Sequence, residues 1–235
     1  MTNRVLAAWG VHLYTGFGAV LGFFALEATA SGHYGAAFVW LTIATFIDST
    51  DGTLARRVRV KEVLPNFDGA RLDDIVDYLN YVVVPIVLAY HAGLIPNETL
   101  GLLVGAAPLL ASGYGFCQLD AKTEDHFFKG FPSYWNVVVF YFYTLGTPTW
   151  FNVAALTILS VLVFVPIRYL YPSKNKTAQR TTYALGAVWG VCFAVLLLQF
   201  PQPSRRLAWL SLFFPIYYFA ISLHLHFRDN RRRRA

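Results

Sequence analysis

The sequence has little charge. Only 14% of its 235 residues are Asp, Glu, Lys or Arg, whereas 56% are hydrophobic and the mean hydropathy is +0.46. A water-soluble domain of this length needs far more charge to cover its surface, which excludes that class. Cysteine is scarce as well. Cys117 and Cys192 lie in apolar stretches without metal-ligand spacing, so both read as small buried hydrophobes. There is no internal repeat, and the one biased stretch is the Arg run at 231–234. The first apolar run lacks the basic leader and small-residue cleavage site of a secretory signal, so it is expected to stay as a helix. These absences point to a single membrane domain over residues 1–235.

What fills the chain instead is apolar blocks approaching the length of a membrane span, without an amphipathic period. About eight candidate helices follow, near residues 4–26, 34–57, 70–91, 99–118, 132–146, 150–171, 181–200 and 207–227. The fold class expected is all-α, a polytopic membrane helical bundle with both termini on one side. Basic residues choose that side. On a cytoplasmic assignment the inner segments hold Arg4, then Arg56, Arg57, Arg59 and Lys61, then Lys122 and Lys129. Lys174, Lys176, Arg180, Arg228 and Arg231 to Arg234 follow, while outside only Arg205 and Arg206 break the bias. The net charge of +6 therefore belongs to a membrane face with anionic headgroups and gives no reason to invoke nucleic acid.

Against this background the acidic residues stand out. An Asp inside a span costs about 2.5–3.5 kcal/mol on the insertion scale and is a functional-site hypothesis by default. Asp48 and Asp51 are spaced i,i+3 on the second helix, and Asp73 and Asp77 i,i+4 on the third, so each pair shares a face. A rise of 1.5 Å per residue puts Asp48 about 21 Å and Asp51 about 25 Å from the outer end, with Asp77 about 20 Å and Asp73 about 26 Å on the antiparallel neighbour. Asp48 is thus expected to face Asp77, and Asp51 to face Asp73, in the cytoplasmic third of the bilayer. Carboxylates this close repel unless cations neutralise them. Oxygen-only ligands favour two Mg²⁺ or Mn²⁺ ions, and a two-metal site suits displacement at phosphorus. Gly52 and Gly69 allow close backbone approach, and Arg56, one turn beyond Gly52, is placed to meet a diphosphate. Asp68 reads as a helix N-cap, Asp74 as a partner of Arg71, and Asp120 as solvated.

Asp48-Ser-Thr-Asp51-Gly52-Thr-Leu-Ala55-Arg56, followed by Gly69-x-x-x-Asp73-x-x-x-Asp77, resembles the signature of the CDP-alcohol phosphotransferase family. The twelve residues between Arg56 and Gly69 exceed the family's usual spacer and resemble its bacterial phosphatidylcholine synthase branch, as does the segment Lys122–Asn136. The resemblance implies condensation of CDP-diacylglycerol with choline to give phosphatidylcholine and CMP, with Mn²⁺ or Mg²⁺ required. It implies Asp48, Asp51 and Asp73 as metal ligands and Asp77 as a metal-adjacent general base. It places Gly52, Ala55 and Gly69 at the cytidine, Arg56 at a phosphate, and carries over Thr15 from the first helix, where His12 replaces the family's Asn. It also implies a homodimer in a bacterial inner (cytoplasmic) membrane, with the active site facing the cytoplasm.

Choline needs aromatic faces for its quaternary ammonium. Tyr134 and Trp135 are the leading candidates, beside a cytoplasmic loop with Glu124 and Asp125; Phe128 and Tyr81 are further ones, and Glu124 joins the same set. Serine or another small alcohol fits the same chemistry, although a phosphorylated acceptor would need a basic cluster the later spans lack. A cation transporter would explain buried Asp residues but not Gly52, Ala55, Arg56 and Gly69 at their spacings.

Overall fold

The computed structural model describes residues 3–120, 127–170 and 178–234. Helices α1 (Asn3–Ala30), α2 (Tyr34–Val58) and the single turn α3 (Val60–Val63) come first. α4 (Gly69–Asp77) runs through a π-helical turn (Tyr78–Val83) into α5 (Val84–His91), and α6 (Thr99–Cys117) follows. Strand β1 (Phe127–Lys129), α7 (Trp135–Leu145), α8 (Thr149–Phe164) and strand β2 (Arg168–Leu170) lead to α9 (Gln179–Leu198), α10 (Arg205–Ser211) and α11 (Phe213–Arg234).

Each expected helix has a counterpart, with three differences. The third is one path but not one geometry, since the π turn divides it. The sixth stops at Phe164, and Arg168–Leu170 pairs antiparallel with Phe127–Lys129, Phe128 opposite Tyr169. The eighth is split at Leu212. Boundaries follow local chemistry. Asp68 caps α4 as expected, its carboxylate accepting the Arg71 N–H at 3.1 Å. Gly146 ends α7 in the left-handed region at φ 63°, which costs glycine no Cβ clash.

The outer surface is apolar: Leu13, Leu110, Ile158 and Val191 are all exposed. Such side chains pointing outward on several helices suit a protein solvated by lipid, where backbone polar groups must be satisfied within helices. Among the described residues α1, α6, α9 and the stretch Arg205–Arg228 are long and apolar enough to cross a membrane. α2 is not in that set, because Asp48 and Asp51 lower its hydropathy.

α1 lies along α2 and across α4, with small residues at the crossing. A Cβ on Gly18 would come 2.6 Å from Val76 Cγ1, and one on Gly22 would come 2.8 Å from Asn80 Oδ1. This Gly-x-x-x-Gly pair brings the helix backbones close enough for Asn80 Nδ2–H to donate to the Gly18 carbonyl at 3.0 Å. α1 thus packs against both α2 and α4, and α7 packs on the π turn.

Candidate active site

Asp48, Asp73 and Asp77 each present a carboxylate oxygen within 4.8 Å of the others. The expected approach of Asp48 to Asp77 is therefore present, but Asp73 completes that group and Asp51 stands beside it. Asp51 is buried, and its Oδ2 accepts a hydrogen bond from the Thr15 hydroxyl at 2.7 Å. Treating α2 and α4 as a pair of rods left out α1, and α1 is what engages Asp51. All four carboxylates still line one small recess, together with Thr15, Asn80 and Tyr81. Three carboxylates this close repel in a medium of low dielectric, so the cluster fits a divalent cation held by hard oxygen donors. Neither His nor Cys joins it among the described residues.

The π turn sets what lies beside the cluster. Tyr81, four residues after Asp77, is buried and its hydroxyl donates to Asp48 Oδ2 at 2.8 Å. On the far side of the carboxylates a larger cavity of about 450 Å³ opens. Asp48, Asp73, Asp74 and Asp77 form one wall, and the rings of Tyr81, Phe116, Phe128, Phe131 and Tyr134 form much of the rest.

Sequence reasoning thus placed Tyr81, Phe128 and Tyr134 on this cavity, and Trp135 must be corrected. Trp135 is fully buried, donates its Nε1–H to Ser112 Oγ at 2.8 Å and packs edge-on against Phe131 at 5.1 Å. It is the first residue of α7 and is turned into the packing against Ser112 and Phe131, while Tyr134, the residue before the helix, lines the cavity. Phe116 and Phe131 were missed. Phe131 lies within the segment Lys122–Asn136 but was not singled out, and Phe116, next to the end of an apolar helix, carries no sequence signal of its own. Glu124 lies outside the described residues. Asp74 faces the cavity, while Arg71, its expected partner, has its Nε 3.9 Å from Asp68. Asp120 is exposed, as expected, and Lys129, on the cavity rim, donates to its Oδ2 at 2.6 Å. That bond holds the Asp120 carboxyl below its usual range and the Lys129 ammonium above its own.

The remaining predicted residues gather on the other flank, where α1, α2 and the start of α4 meet. Arg56 is exposed and donates to Thr53 Oγ1 at 2.9 Å. A Cβ on Gly52 would come 3.3 Å from Arg56 Nη1. Ala55 packs with Ala8, Val11 and Val60. Gly69 opens α4 over His12, and a Cβ there would come 2.5 Å from His12 Cε1. His12 is buried between Phe67 and Trp9, with no hydrogen-bond partner at Nε2 among the described residues. Gly52, Ala55, Arg56 and Gly69 line neither of the two hollows around the carboxylates.

The resulting layout has carboxylates between an aromatic cavity and a glycine- and arginine-bearing flank, and it has counterparts among known proteins. Residues 12–123 match the CDP-alcohol phosphatidyltransferase family. The phosphatidylcholine synthase of Legionella pneumophila is 42% identical over 217 residues, covering 89% of this chain and 84% of the relative. That of Pseudomonas aeruginosa is 38% identical over 207 residues, covering 88% and 86%. That of Borreliella burgdorferi is 32% identical over 233 residues, covering 97% and 98%. With the aspartates on the family's spacing and likeness over nearly the full length, this chain belongs to the CDP-alcohol phosphatidyltransferase family.

Proposed function

We propose that the protein is a phosphatidylcholine synthase, transferring the phosphatidyl group of CDP-diacylglycerol to choline and releasing CMP. The observation that carries this reading is the carboxylate triad opening onto an aromatic cavity. An acceptor whose cationic end offers no hydrogen-bond donor is recognised by ring faces, and Tyr81, Phe128 and Tyr134 supply them. Family membership and the phosphatidylcholine synthase activity of the relatives support group transfer over cation transport.

Asp48, Asp73 and Asp77, with Asp51 beside them, are the residues to hold two Mn²⁺ or Mg²⁺ ions. When bound, such ions would neutralise the diphosphate and stabilise charge on the attacking and leaving oxygens. Asp77 accepts the choline hydroxyl proton as that oxygen forms its bond to the lipid-bearing phosphorus. The bond from phosphorus to the bridging oxygen breaks, and its electron pair leaves on CMP. Arg56 engages phosphate, while Gly52, Ala55, Gly69 and Thr15 shape the cytidine side. Thr15 also fixes Asp51 through its hydroxyl. Asp77→Asn should fold and bind cation while losing choline-dependent turnover by about two to four orders of magnitude, as loss of a general base does.

The same reading has about eight spans in a single domain over residues 1–235 of a bacterial inner membrane, with both termini and the active site cytoplasmic. The basic residues gathered on one set of segments support that orientation. A homodimer is carried over with the family resemblance. The deciding experiment is CMP release from CDP-diacylglycerol with Mn²⁺ and a panel of choline, serine, inositol and glycerol phosphate. Choline alone should support it at high rate; equal release with serine would sink the choline assignment and leave the chemistry intact.

A further inference from the structure

Tyr81 lines both hollows around the triad, so its two ends meet different surroundings. The ring lies 6.2 Å from the Tyr134 ring across the aromatic cavity. The hydroxyl is already committed, donating to Asp48 Oδ2 at 2.8 Å. Its placement comes from the π turn. In an α-helix, four residues overshoot a turn by about 40°. The i→i+5 bonding of Tyr78–Val83 widens the turn, so Tyr81 follows Asp77 at a different angle from the one an α-helix would give. Asn80 anchors the same turn, its Nδ2–H groups donating to the Gly18 and Val76 carbonyls at 3.0 Å each.

We infer that Tyr81 is a positioning residue: its hydroxyl ties down Oδ2 of Asp48 and leaves Oδ1 turned toward a divalent cation shared with Asp73 and Asp77. Asp48 is the one carboxylate that α2 gives the triad, and it has to be aimed across a helix boundary. A hydrogen bond to a ligand's second oxygen does this, and losing such a bond typically lowers metal affinity 10- to 100-fold. The choline cavity then receives the ring face of Tyr81 and not its hydroxyl.

This inference rests on the triad holding a cation, and the test separates the two. Free Mn²⁺ is titrated against purified protein without substrates and followed by its aqueous EPR signal. Tyr81→Phe keeps the ring and removes the hydroxyl, and should weaken Mn²⁺ binding about 10- to 100-fold. It should lower kcat while moving the choline KM less than about twofold, since uniform ground-state contacts are kept. Tyr81→Leu should add a rise in choline KM. In an Asp48→Asn background the hydroxyl no longer holds a carboxylate of α2, so adding Tyr81→Phe should lower Mn²⁺ affinity little further. Should Tyr81→Phe not survive detergent, the Mn²⁺ concentration giving half-maximal CMP release in native membranes must rise by the same factor. Wild-type binding with an unchanged Tyr81→Phe affinity overturns this inference alone. Failure of the wild type to bind Mn²⁺ overturns the cation reading and this inference with it.

Discussion

Gly69 opens α4 where a side chain would collide with the buried His12 ring. Its Cβ would stand 2.5 Å from His12 Cε1 and 3.0 Å from Nδ1, and that ring is pinned 4.3 Å from Phe67. Gly69→Ala should therefore cost about 1–3 kcal/mol, the usual penalty of overpacking. Against His12→Ala as the reference, the added Ala should cost little, because the obstruction is gone. Thermal denaturation in detergent measures both; a Gly69→Ala penalty that persists without His12 would show the glycine is needed for something else. Tyr134 and Trp135 separate in the same way. Tyr134→Leu should raise the choline KM several-fold by removing a ring from the cavity. Trp135→Phe should leave KM alone and lower the melting temperature, since it strips Ser112 of its indole partner. The aspartates were legible in the sequence because a carboxylate amid apolar residues has no bland explanation. Tyr134 and Trp135 were not separable, because hydropathy does not fix which of two adjacent rings turns inward at the first residue of a helix.

The π turn shows why elements are harder to read than residues. From Val76 to Val84 the sequence is mostly apolar and holds neither Gly nor Pro, so a single helix over 70–91 is the natural expectation. Pro85, just beyond the turn, has no N–H to donate to the Tyr81 carbonyl four residues back, and Gly18 and Gly22 admit α1 close enough for Asn80 to bond across to it. Gly22→Leu tests this, since its Cβ alone would come 2.8 Å from Asn80 Oδ1 and 2.9 Å from Leu79 Cδ2. It should destabilise the protein by about 1–3 kcal/mol and depress CMP release, while Gly10→Leu, on the same helix with nothing within 4 Å, should do neither. Equal behaviour of the two would remove α1 as the support of the turn. The strand pair was hidden for a different reason. Phe127–Lys129 and Arg168–Leu170 are three residues each, too short for a period, and they are paired by tertiary contact, including a Leu170 N–H bond to Ser222 Oγ. The break at Leu212 leaves no mark in hydropathy, and its local signal is Pro215, which has no N–H to donate to the Ser211 carbonyl.

At the scale of the whole molecule the site and the charge should occupy the same side of the membrane. The substrate's nucleotide is water-soluble chemistry and its acyl chains are not, so the carboxylates have to lie where aqueous CMP can leave and lipid can enter sideways. An N-terminus placed inside makes α6 run inward, which puts its last residue, Cys117, at the cytoplasmic face. Cys117 is not the buried hydrophobe expected from its apolar surroundings: it is exposed and lines the aromatic cavity, so its thiol reports both the side on which the cavity opens and whether the cavity is filled. In a Cys192→Ala background Cys117 is the sole thiol. A membrane-impermeant maleimide should label it in inside-out vesicles and not in intact spheroplasts, and saturating choline should slow the labelling several-fold. Labelling from the outer face would invert the topology, because the basic residues would then face outward. Labelling from the inner face at a rate indifferent to choline would keep the topology and move the acceptor elsewhere.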